Sequence, residues 1–198
     1  MNILHCFADT GVESEALSAY GEVTRVGLDP EDTPFTDHLI QADARGVEFD
    51  TTFDLGLFHP PCQRWTNGAA QHQTRDNHKN LIPVARKLAN EYCSEYIIEN
   101  VPKAPLENPV ELTGEMFGLP IHYKRAFETS YHVEQPRQQT RLCGGHDVFD
   151  KWHDTGGWYG SYELWQTVKG YSGDYDHRQL KRSGIPRAYI NYLVRPLL

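Results

Sequence analysis

The chain has 198 residues, 39% of them hydrophobic and 12% aromatic, and a formal net charge of −8. That composition excludes a disordered chain, and the length suits one domain spanning 1–198 that buries its core without disulfides. No apolar run approaches membrane-spanning length, so no membrane partner is expected. Cys6, Cys62, Cys93 and Cys143 are widely scattered, which argues against a disulfide framework and for a reducing compartment. Met1 to Cys6 lacks the basic region and long apolar stretch of a secretory signal, so a cytoplasmic location is expected. Charge is unevenly spread: residues 1–119 hold 8 Lys+Arg against 19 Asp+Glu, a balance of −11, whereas 120–198 hold 11 against 8, a balance of +3. A mildly basic, aromatic carboxy-terminal section suits a phosphate backbone, and ordinary surface variation explains the asymmetry equally well.

In chain order, residues 2–7 read as a short buried strand opening into Ala8-Asp9-Thr10-Gly11, followed by a helix over 13–20. A second strand over 22–28 ends at Asp29-Pro30, and 33–50 is weakly patterned. The third strand, 53–58, leads into a polar, glycine-bearing loop over 59–76. Leu81, Ala85, Leu88 and Tyr92 recur at helical spacing and predict a helix over 80–93, with Pro83 in its first turn. Residues 96–99 form the fourth strand. This β–α–β alternation predicts an α/β, Rossmann-like fold with a mostly parallel sheet and right-handed crossovers. Pro102, Pro105 and Pro109 keep the next stretch extended, and 122–129 reads as a further strand. Residues 131–183 have little periodicity and read as a small irregular insertion, before a terminal helix over 184–194 with Pro186 at its start.

Two strands deliver reactive side chains to the loops at their carboxyl ends, where open α/β sheets place active sites. Pro60-Pro61-Cys62-Gln63 follows the third strand and Glu99-Asn100-Val101 closes the fourth. Two prolines stiffen the backbone beside Cys62, and cysteine attacks as the thiolate. Carbon 6 of a pyrimidine becomes electrophilic when N3 is protonated or hydrogen-bonded, so a thiol and a carboxyl group together supply both halves of an attack on that ring. Taken singly, a cysteine is more often structural and a strand-end glutamate often pairs with a basic residue; Cys6 and Cys93, in apolar segments, are expected in the core.

Phe58-His59-Pro60-Pro61-Cys62-Gln63 and Ile98-Glu99-Asn100-Val101 resemble, in order and spacing, the Pro-Cys and Glu-Asn-Val motifs of the DNA (cytosine-5)-methyltransferases. Asn108-Pro109-Val110-Glu111-Leu112, Met116-Phe117-Gly118-Leu119 and Arg125-Ala126-Phe127-Glu128 are similar to the short bacteriophage-type members. The resemblance implies an S-adenosyl-L-methionine (SAM)-dependent methyltransferase fold and DNA containing cytosine as substrate, in a prokaryotic cell or phage-infected host. It implies that Cys62 adds to C6, that Glu99 engages N3 and the exocyclic amine, that Asn100 supports the Cys62 loop, and that Arg125 contacts the base. It places Phe7, Ala8, Asp9, Gly11 and Pro60 around SAM, Asp29 on the ribose hydroxyls and Asp43 on the adenine amine. Gln63, Arg64 and Lys124 would face the DNA, with 63–76 a loop closing over a flipped base.

The chain departs from that family at three places. Asp9 and Val12 stand where the first motif has glycine, leaving Gly11. Ile121 and Tyr123 stand where the Gln-x-Arg-x-Arg motif has its Gln and first Arg, leaving Lys124 and Arg125 as the basic pair. Only 131–183 is available where a target-recognition domain is usual, which implies short or relaxed sequence specificity supported by phosphate contacts. Within it, Trp152, Trp158, Tyr159, Tyr162 and Trp165 either stack on bases or form the core of a small lobe. Arg137, Arg141, Lys151 and Lys169 are candidates for phosphate contact. Cys143, His146 and His153 have zinc-ligand side chains without a clear fourth partner, and no metal is assigned. A related pyrimidine C5-modifying enzyme with an altered cofactor or a nucleotide substrate, and a degenerate nucleic-acid-binding protein, remain alternatives.

Overall fold

The computed structural model describes residues 1–66, 71–137 and 161–198. Its centre is a seven-stranded sheet: β1 (Asn2–Cys6), β2 (Glu22–Gly27), β3 (His38–Gln41), β4 (Phe53–Phe58), β5 (Cys93–Asn100), β6 (Val110–Leu112) and β7 (Arg125–Thr129). Their order across the sheet is β3-β2-β1-β4-β5-β7-β6. The first five are parallel, and β7 runs antiparallel to both β5 and β6. The α/β fold with a mostly parallel sheet is the one expected.

Alternation along the buried strands supplies two cores, because successive side chains point to opposite faces. Ile3, Leu55, Leu57 and Ile97 face one way; Leu4, Cys6, Phe58 and Ile98 face the other. The second face is covered by α2 (Ile82–Tyr92), whose Ile82, Ala85, Leu88 and Ala89 are buried. Asn80 Oδ1 accepts from the Ile82 amide at 3.2 Å and Pro83 sits in the first turn. The helix then passes into β5 without a loop as Cys93 turns extended. The first face is covered by α1 (Ser14–Leu17), α3 (Tyr162–Lys169), α4 (His177–Arg182) and α5 (Arg187–Val194). Ser161 and Asp176 cap α3 and α4 by accepting from Leu164 and Gln179 amides.

Several boundaries differ from the sequence reading, each for a local reason. The helix expected over 13–20 is a single turn, because the chain must pass against the amino terminus at Gly21, where a Cβ would lie 1.8 Å from the Met1 carbonyl oxygen. The strand expected over 122–129 begins at Arg125, since Tyr123 has φ 34° and cannot extend the ladder. Strands β3 and β6, four and three residues long, are too short to show a period in sequence. The stretch read as irregular contains α3 and α4.

Candidate active site

In a sheet of this order the chain runs outward in opposite directions from β1 and β4, leaving a crevice beyond their carboxyl ends. Cys6 pairs with Phe58, and Phe58 with Ile98. The residues that follow, Phe7, His59 and Glu99, therefore emerge side by side at the crevice. The His59 amide extends the ladder by donating to the Cys6 carbonyl at 3.1 Å. Phe7 leaves the sheet with φ 60°, a left-handed conformation that costs a non-glycine residue energy and is held here by its neighbours.

Glu99 is locked by two side chains: Arg125 Nε lies 3.0 Å from Oε1, and His59 Nδ1 lies 3.1 Å from Oε2. Arg125 is itself fixed, donating to the Lys124 carbonyl at 3.0 Å and the Tyr123 hydroxyl at 3.2 Å, with its guanidinium 4.3 Å from the Tyr123 ring centroid. Asn100 is buried and bridges two segments. Its Nδ2 donates to the Pro60 carbonyl at 2.8 Å, and its Oδ1 accepts from the Val101 amide at 2.9 Å. The bond to Pro60 ties the turn carrying Cys62 to the end of β5.

Cys62, Gln63, Glu99 and Arg125 line one cavity of about 310 Å³, together with Ala8, Asp9 and Pro60. Burial raises the Cys62 thiol above its ordinary pKa, Glu99 raises it further, and Arg125 opposes both. The free protein thus holds the sulfur as a thiol near neutrality. For His59, burial opposes the charged form, but the hydrogen bond to Glu99 and the charges of Glu13 and Glu99 outweigh it and raise the pKa. Cys6, fully buried, and Cys93 are both pushed up to about 12 by burial, as inert cysteines are.

A second cavity of about 100 Å³ is walled by Val26, Gly27, Leu28, Ala42, Asp43 and Leu81, and shares Phe7, Asp9, His59 and Pro61 with the first. Asp9 holds this corner together: its Oδ1 accepts from the Asp29 amide at 3.1 Å and its carbonyl from the Glu31 amide at 2.8 Å. Gly27 is required beside it, because a Cβ there would meet Asp9 Oδ1 at 2.3 Å. Asp43 reaches the cavity with both carboxylate oxygens engaged by Arg45, whose hydrogen bonds hold its pKa down to about 2. Asp29 is exposed and borders neither cavity. Gly11 borders neither as well; it has φ 64°, and a Cβ there would lie 1.4 Å from Arg25 Nη1. Room for Arg25 accounts for this glycine.

The remaining expected contact residues are placed differently. Arg64 is turned into its own loop, donating to the Arg75 and His78 carbonyls at 2.9 and 3.0 Å and pairing with Asp76. Lys124 pairs with Glu111 at 2.5 Å and lines a separate surface pocket with Thr113 and Gln135. Lys169 is not a phosphate ligand of an open surface: it is 1% exposed and donates from Nζ to the Lys181 and Gly184 carbonyls, 3.7 Å from the Tyr123 ring centroid. Trp165 is buried and Tyr162 donates to the Gly173 carbonyl at 2.9 Å, so both serve the core. Arg137 is exposed. Arg141, Cys143, His146, Lys151, Trp152, His153, Trp158 and Tyr159 lie outside the described residues.

Sequence reasoning does not single out His5, Glu13, Arg25 or His59 as site residues. His5 and His59 lie at or just past the carboxyl ends of β1 and β4, Glu13 immediately precedes α1, and His5 and Arg25 interrupt the buried runs of β1 and β2. That interruption is the available signal. Both are fully buried.

No family model matches the chain, and no curated protein sequence matches it. Among solved structures it is similar to the methyltransferase EhMeth of Entamoeba histolytica, with a TM-score of 0.58 and 11% identity over 100% of this chain and 99% of that one. It is also similar to a protein assigned as a DNA modification methyltransferase, encoded within an E. coli prophage, with a TM-score of 0.50 and 16% identity over 72% of this chain. The match spans 52% of the prophage protein, about half its length. At these identities the likeness concerns the fold: the chain has the Rossmann-like α/β fold of methyltransferases.

Proposed function

We propose that this chain is a SAM-dependent methyltransferase acting on C5 of cytosine in DNA, with Cys62 as nucleophile. The observation that carries the reading is the convergence of Cys62, Glu99 and Arg125 on one cavity that shares a wall with a second. The apolar faces of Val26, Leu28, Ala42 and Leu81 beside Asp43 suit a planar purine, so these residues would hold the adenine of SAM. The bound cofactor supplies an electrophilic methyl carbon on sulfur. The likeness to EhMeth and the prophage protein supports the transfer of methyl groups, and the assignment of the prophage protein to DNA modification supports DNA as the acceptor.

Glu99, held by Arg125 and His59, accepts from the exocyclic amine and meets N3 of a flipped cytosine. The Cys62 sulfur forms a bond to C6 as its proton passes to water in the open cavity, and the electron pair of the C5–C6 double bond becomes available at C5. Bound SAM would supply the methyl group that this carbon takes up, its sulfur leaving with the bonding pair. Loss of the C5 proton to a base, with cleavage of the sulfur–C6 bond, restores the ring and frees Cys62. Residues 1–198 act as one domain in this reading, with 131–183 standing in place of a target-recognition domain and a short target sequence as the consequence.

The test is nucleoside mass spectrometry on DNA from a host without cytosine methylation that expresses the chain, beside Cys62→Ala. New 5-methylcytosine that disappears in the variant is expected, together with covalent trapping of the unmutated chain on DNA containing 5-fluorocytosine. Methylation that survives Cys62→Ala would sink the mechanism, and a different cytosine adduct would redirect it to an altered cofactor.

A further inference from the structure

Behind the Cys62 cavity, β1, α1 and β4 bring His5, Glu13 and His59 together. One ligand atom from each, a ring nitrogen of either histidine and a carboxylate oxygen, lies within 4.8 Å of the others. His5 is fully buried and Glu13 is 5% exposed. His5 Nε2 lies 3.9 Å from Glu13 Oε2, and the Nε2 atoms of both His5 and His59 are buried with no hydrogen-bond partner among the described residues.

The outward atoms of the same three side chains are all anchored. His5 Nδ1 lies 2.8 Å from Ser14 Oγ, His59 Nδ1 lies 3.1 Å from Glu99 Oε2, and Glu13 Oε1 accepts from the Ile185 amide at 2.7 Å. Metal-ligating histidines show this division: one nitrogen is fixed by a hydroxyl or carboxylate, which sets the tautomer, and the other is left for the ion. Two imidazoles paired by hydrogen bonds alone would not leave both inner nitrogens unsatisfied inside the protein.

We infer that His5, Glu13 and His59 bind one divalent first-row transition-metal ion of the zinc and iron class. Imidazole nitrogen suits these ions, whereas magnesium and calcium prefer all-oxygen sites. Metal–ligand distances of roughly 2.0–2.2 Å require the three atoms to close in from their present separations, all within 4.8 Å. Two neutral imidazoles and one carboxylate leave a net positive site with open coordination positions. Glu13 and His59 also line the Cys62 cavity, so those positions face bound molecules. Through His59 the ion would share an imidazole with Glu99, making Glu99 an outer-shell partner of the metal. Its ligands are not the Cys143, His146 and His153 considered in the sequence, which lie outside the described residues.

The experiment is calorimetric titration of the chelator-stripped full chain with Zn2+, repeated with Co2+ to read its visible ligand-field bands. One ion per chain is expected, with bands characteristic of nitrogen and oxygen donors. His59→Gln and Glu13→Gln should each weaken binding by about tenfold or more, and Ser14→Ala, which keeps all three ligands and frees only His5 Nδ1, by roughly 10–100-fold. Thermal melts without metal establish that each variant folds; if Glu13→Gln does not, His59→Gln and Ser14→Ala carry the test. Absence of stoichiometric binding, or affinity unchanged in His59→Gln and Ser14→Ala, would overturn the inference and assign any uptake to surface histidines. The readout is metal binding and not methyl transfer, so its failure is distinct from failure of the proposed activity.

Discussion

Glu13 and Glu15 lie two residues apart on one short turn, each 5% exposed, yet their surroundings are opposites. Glu15 is saturated: its carboxylate accepts from the Ser172 and Gly173 amides, the Ser172 and Tyr175 hydroxyls and Arg187 Nη2, at 2.7–3.1 Å. Glu13 has one firm donor, the Ile185 amide, and looks inward on two unsatisfied imidazole nitrogens. Arg25 belongs with the second region, since none of its three guanidinium nitrogens has a hydrogen-bond partner among the described residues. A closed network of this kind rigidifies, and Glu15 uses it to clasp the carboxy-terminal segment against α1, bringing Ser183 to the cavity wall. An open one leaves bonding capacity for something that is bound.

Removing the closed side should have the larger effect on stability. Glu15→Ala leaves Arg187, Tyr175 and two amides without their acceptor and is expected to cost about 3–5 kcal/mol, measured by urea unfolding at neutral pH. Burial alone would raise the Glu15 pKa, but the bonds from Gly173, Ser172 and Tyr175 outweigh it and hold the pKa below the ordinary carboxylate value. A lowered folded pKa gives stability that is present above the unfolded value and lost as pH falls through the folded one. The penalty of Glu15→Ala should therefore shrink below the ordinary carboxylate range; a penalty constant down to strongly acid pH would contradict the clasp.

On the open side, Gly11→Ala should cost about 1–3 kcal/mol, because the new Cβ must displace Arg25 and adopt a left-handed φ. Arg25→Met should be neutral or stabilising, since it removes a buried unpaired cation, and should relieve part of the Gly11→Ala penalty in the double variant. Additive penalties would show that Arg25 is not what Gly11 accommodates. If SAM stabilises the unmutated chain as proposed, loss of that stabilisation in Arg25→Met would instead give the guanidinium a role in binding.

The smallest expected effect lies at Cys62. Burial and the Glu99 charge raise its pKa, so alkylation by iodoacetamide should accelerate only above the usual thiol range. Glu99→Gln removes the negative charge, lowers that pKa and should speed alkylation several-fold at mildly alkaline pH. Slower alkylation in the variant would mean that Glu99 acts on Cys62 by position and not by charge.

Much of the fold was legible because strands β1, β4 and β5 are apolar over lengths that show a pattern, and α2 repeats its buried face at helical spacing. Strands β3 and β6 were not, being shorter than the period that identifies a strand. Cys62, Glu99, Asn100 and Arg125 could be read from local motifs that place each at the end of an element. The intramolecular partners of Arg64, Lys124 and Lys169 were not legible, because a cationic residue in sequence does not reveal whether a carbonyl, a carboxylate or solvent takes its protons.

The sequence by itself determined the parallel sheet and the two strand ends whose residues border the cavity, since period and motif spacing are local properties of the chain. Tertiary structure alone decided that His5, Glu13 and His59 meet, that Gly11 makes room for Arg25, and that Glu15 is saturated from 157 residues away. Those contacts depend on strand register and on the return of the carboxy-terminal segment to α1, which bring together side chains far apart in sequence.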